Sequence, residues 1–148
     1  MSSQLRPSAL CLIGLILSLL LVGIVSGTLP RHLVQVSPAA LVLTAVALRA
    51  RWTAHAALPI FVFWIAIMIL IWLYLLRLAT IVTGHFTPVE IALTLVIGAC
   101  SVRGILAALR ASKGTSLASR ILMFAVFAAM QMGAMWLSFR EPFAHRPG

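Results

Sequence analysis

The chain has 148 residues, of which 63% are hydrophobic and only 9% charged; eleven Lys+Arg stand against two Asp+Glu, a formal net charge of +9. Ordinary soluble domains are about a quarter charged and about half apolar, so this composition excludes a soluble globular domain, a disordered tail and a disulfide scaffold. At about 20 residues per span plus connections, the expected architecture is an all-α, multi-pass transmembrane helical bundle of five helices, with residues 1–148 as one integral membrane domain.

The first apolar run, 8–28, follows Arg6 and carries no charge. Val25-Ser26-Gly27 has the small-x-small look of a cleavage site, but the run exceeds the about 7–15 residues of a signal-peptide core, so a retained helix is expected. The second run is the weakest. Ser37-Pro38 reads as an N-cap followed by proline at the first helical position. That predicts a helix over 38–57, with Arg49 and Arg51 extending their side chains to the nearby interface. The alternative is four helices plus a re-entrant segment here.

The third run, 58–82, is opened by Pro59, rich in Ile, Leu, Phe and Trp, and poor in small residues. A helix without small residues is expected at the lipid or against a partner rather than between close neighbours. The fourth, 88–109, begins with Thr87-Pro88-Val89-Glu90, a capping-box pattern with Thr87 as N-cap and Glu90 at the third helical position. The fifth, 119–139, is entered from the break at 111–116.

A basic chain invites a nucleic-acid reading, but here the arginines fence the apolar runs instead of sharing a soluble face, so no nucleic-acid partner is expected. With five helices and an inside N-terminus, the inside holds Arg6, Arg49, Arg51, Arg103, Arg110, Lys113 and Arg120, and the outside holds Arg31, Arg77, Arg140 and Arg146. That bias obeys the positive-inside rule. It predicts a bacterial cytoplasmic (inner) membrane protein with the loops near 49–57 and 110–120 cytoplasmic and the C-terminus outside. The four-helix alternative only exchanges Arg6 and Arg31, so charge does not separate the two.

Four polar residues are candidates for intramembrane or interface roles, because such groups are costly in hydrocarbon. Arg77 and Glu90 flank the outer turn, as a pair or as a snorkelling arginine and a capping carboxylate. Arg103 lies within the fourth run, reaching headgroups or an anion. Gln131 sits mid-way along the fifth, where its amide wants another helix. Small residues suited to helix packing recur as Gly23 and Gly27, Gly104 and Ala108, and Ala125, Ala129 and Gly133. Cys11 and Cys100 read as small buried hydrophobes. Met130, Met132 and Met135 cannot share one helix face. His32, His85 and His145 share the outer side but belong to separate segments, so no metal site is assigned.

The chain lacks HExxH, GxSxG and a glycine-rich phosphate loop, and has only two acids for proton transfer. No enzyme activity and no cofactor are expected. The favoured reading is a non-catalytic accessory or scaffold subunit, packing against another membrane protein or a copy of itself in the lipid bilayer. A small oligomeric transporter or channel is the alternative, and an accessory subunit of a redox membrane complex is weaker still.

Overall fold

The computed structural model describes residues 6–50, 52–81, 84–111 and 116–143. Among them the chain is all-helical, without a strand: α1 (Arg6–Val25), α2 (Leu29–Ala47), α3 (Thr53–Leu75), α4 (Pro88–Ala111) and α5 (Leu117–Ser138). Four of the five, α1, α3, α4 and α5, are long and apolar enough to cross a membrane. α2 falls short of them because Arg31, His32 and Gln35 crowd its first two turns.

α3 and α4 run antiparallel, and so do α2 and α5. Trp72, near the end of α3, bonds Thr94, near the start of α4, and Gln35, early in α2, bonds Ser138, the last residue of α5. α4, α1, α2 and α5 follow one another in an arc around α3, which touches all four; among the described residues the backbones of α4 and α5 do not closely approach, so the arc is open on that side. The core is apolar and centred on Leu12, Leu15 and Leu19 of α1, Val42 of α2, Ile60, Phe61 and Trp64 of α3, and Ile97 of α4.

The helix boundaries differ from the sequence expectation at α2 and α3. α2 begins at Leu29, not Pro38, with Pro30 in its first turn and Pro38 inside it. A proline within a helix leaves the carbonyl four residues back without its donor. Here that carbonyl belongs to Val34, and the Ser37 hydroxyl donates to it at 2.8 Å. Ser37 is thus a repair of the helix interior and not an N-cap. The break falls at 48–52, so residues 53–57, expected at the end of the second helix, form the start of α3.

That shift also corrects the placement of α3. Its first turns bring in Ala54, Ala56 and Ala57, all buried, beside Pro59, Ile60 and Phe61. The helix expected at the lipid is the central one, because its small residues lie before the run that hydropathy alone picks out. It also stops at Leu75, short of residue 82.

Three helices end by the same device. A residue with positive φ turns the chain, and the next N–H reaches back to a carbonyl of the last turn. Gly27 (φ 67°) does this for α1, with Thr28 N–H on Gly23 O at 2.8 Å. Arg49 and Arg77 (φ 60° each) do it for α2 and α3, with Ala50 N–H on Ala45 O at 3.0 Å and Leu78 N–H on Leu73 O at 2.8 Å. The left-handed conformation costs an L-residue about 1–2 kcal/mol, and glycine escapes it. The two arginines therefore end their helices at some expense in strain.

Candidate functional site

Of the four polar candidates, Glu90 has the most completely defined surroundings. The Thr87 N–H and hydroxyl both donate to Glu90 Oε2, at 2.7 and 2.8 Å, and Glu90 N–H donates to Thr87 Oγ1 at 3.3 Å. This reciprocal box satisfies donors that the first turn of α4 would otherwise leave open. Its carboxylate also sits at the positive end of the helix. Arg77 is exposed beyond α3 and makes no ion pair with Glu90. Arg103 is exposed on α4.

Gln131 is fully buried, and its Nε2 donates to the Gln35 carbonyl at 3.2 Å. Gln35, which in the sequence only interrupts an apolar run, is buried too. Its Nε2 donates to Ser138 Oγ at 3.0 Å and to Met135 Sδ at 3.3 Å. The Ser138 hydroxyl passes on to the Met135 carbonyl at 2.7 Å. α2 and α5 are thus joined by a polar seam, extended by Arg31, whose guanidinium lies 3.7 Å above the Phe139 ring. Gln131 Oε1 and Arg31 Nε remain buried without a hydrogen-bond partner. With the helix started at Leu29, Gln35 shares a face with Pro38, Ala39 and Val42; that periodicity is the signal that pointed inward.

The small residues divide into two groups. Gly104 faces the Phe61 ring so closely that a Cβ there would overlap it, and Ala108 on the next turn is also buried. Gly14, not singled out from sequence, is similar: a Cβ would lie 2.8 Å from Cys100 Sγ. Gly23 sits against His32, where a Cβ would stand 3.0 Å from the histidine Cβ, and Gly27 supplies the turn. Ala125, Ala129 and Gly133 instead point away from the bundle; all three are exposed, and nothing lies within 4 Å of a Cβ built on Gly133.

Arg77, Glu90, Arg103 and Gln131 are not brought together, so these four line no common passage. Among the described residues no three His, Cys, Asp or Glu side chains gather where a metal ion could be held. Arg51, Lys113, His145 and Arg146 lie outside the described residues. No family model matches the chain, nor does any curated protein or solved structure.

Proposed function

We propose that this chain is an integral membrane protein of a bacterial cytoplasmic membrane, crossing the bilayer five times. It serves as a non-catalytic accessory or scaffold subunit that packs, through the outer face of α5, against a second copy or another membrane protein. The loops near 49–57 and 110–120 are placed in the cytoplasm and the C-terminus outside, on the arginine bias.

The case for a fifth crossing rests on α2. Its 19 residues make a helix about 28 Å long, close to the about 30 Å of a hydrocarbon core. Its outward face carries Leu33, Ala40, Leu41 and Ala47. The two hydroxyls on that face are satisfied within the helix, Ser37 on Val34 O at 2.8 Å and Thr44 on Ala40 O at 3.0 Å. A face that satisfies its hydroxyls in this way suits lipid, where no water would serve them.

The observation that carries the docking reading is the outward ridge Ala125, Ala129 and Gly133, flanked by exposed Met132 and Trp136 (64% and 61%). Small residues four apart allow a neighbouring helix to approach closely, and none of the described helices covers them. The non-catalytic reading is supported by how the polar groups are spent: Glu90 on a cap, Gln131 on α2.

Purification of the full chain in mild detergent should give a homo-oligomer or a co-purifying membrane protein. Gly133→Leu should release that assembly without lowering yield, since the site is open within the chain. A wild-type monomer with nothing bound overturns the docking role.

A further inference from the structure

α4 and α5 both pack on α3 without a close backbone approach to each other among the described residues. At the end of the bundle where α3 and α5 begin, they leave a cleft of about 270 Å³. Its walls are apolar, formed by Ala54 and Leu58 of α3, Ala108 of α4 and Phe124 of α5; its two basic side chains are His55 and Arg120. His55 is buried in the first turn of α3, and Arg120 lies in the first turn of α5.

Charge is distributed unevenly between the two ends of the molecule. The chain has two acids, and both are at the far end: Glu90 opens α4, and Glu141 follows α5. The near end has Arg120, together with Arg49 after α2 and Arg110 in the last turn of α4, both exposed. The near end is therefore strongly cationic.

We infer that the cleft binds an anionic phospholipid, its phosphate between Arg120 and His55 and the start of an acyl chain along Leu58 and Phe124. The argument is complementarity. A cationic rim with the chain's carboxylates at the opposite end calls for an anion, and basic pockets between membrane helices take anionic headgroups. The apolar walls call for a hydrocarbon chain, which free phosphate does not have. The inference rests on the membrane reading above.

The test uses the full chain in detergent, incubated with equal amounts of phosphatidylglycerol and phosphatidylcholine and weighed by native mass spectrometry. Phosphatidylglycerol should be retained in preference, and the preference should weaken as salt rises. Arg120→Gln should lower the retained ratio about fivefold, the effect of one basic group at a lipid surface. Arg140→Gln, at the opposite end, should leave it unchanged. Equal retention of the two lipids by the wild type overturns the inference, whether or not the variants fold. So does an equal loss of preference in both variants. Alkaline carbonate washing of source membranes keeps the two readings apart. A chain that stays in the pellet yet shows no lipid preference removes only the cleft assignment, whereas a chain that washes off removes the membrane reading as well.

Discussion

α4 lies against α3 and α1 by shape, with Gly104 under the Phe61 ring, Gly14 under Cys100, and Ile97 fully buried between them. α5 lies against α3 and α2 with far less of itself covered. Only Phe127, Gln131 and Ser138 are buried along its 22 residues, and two of these three are polar. The α4 seam gains mostly from close approach, since dispersion grows with the number of atom pairs in contact, and adds the hydrogen bond from Trp72 Nε1 to Thr94 Oγ1. The polar seam of α5 gains from directional hydrogen bonds between α5 and α2. A helix with a narrow buried stripe can still be fixed in rotation and depth if that stripe carries directional groups. α5 is therefore free to present a wide outer face while remaining attached.

The difference can be broken most forcefully at Gly104. Gly104→Val places methyl groups where the Phe61 ring now lies, and overpacking of this kind costs about 1–3 kcal/mol or more. Unfolding in a mixed-micelle denaturant titration should show that loss. Gly98→Ala, on the same helix with open space around its Cβ, should be neutral or slightly stabilising, because alanine is the better helix former by about 1 kcal/mol. If both substitutions were equally harmful, close packing at Gly104 would not be what holds α4.

The polar seam is probed next, with a smaller effect. Gln131→Ala removes the bond to Gln35 and leaves a void, at a cost of about 2 kcal/mol. Gln131→Met keeps the volume and also removes the unpaired Oε1, so its cost should stay below about 1 kcal/mol, in the range of measured hydrogen bonds between membrane helices. The same titration compares the two. Equal losses would mean that the hydrogen bond, rather than the filled volume, holds the two helices together.

Smallest of all is the change outside either seam. Arg77→Gly relieves the left-handed strain at φ 60° but adds chain entropy to the unfolded state, for a net gain of about 0.5 kcal/mol. Thermal unfolding in detergent should move upward slightly. A clear loss would show that the Arg77 side chain contributes more than the backbone turn.

Much of the local structure was legible in the residue order. The all-helical character follows from long apolar stretches fenced by basic residues. The cap at the start of α4 follows from Thr87 and Glu90 being three apart, because helix geometry alone brings that hydroxyl and that carboxylate to each other's N–H. The apolar windows of α1, α3, α4 and α5 are one-dimensional properties, so they survive folding unchanged.

What depended on neighbours was not legible in this way. Ser37-Pro38 fits an N-cap and a mid-helix repair equally well; the choice went to the interior because Gln35, Val36, Ala39 and Val42 gain burial against other helices. α3 became the centre of the bundle because Ala54, Ala56 and Ala57 let its neighbours close around it. The outward turn of Ala125, Ala129 and Gly133 was decided by Gln131, whose amide reaches the Gln35 carbonyl only when that face of α5 points inward. Composition and periodicity determine which segments are helices; which side of each helix is covered is a property of pairs, and only the assembled bundle selects it.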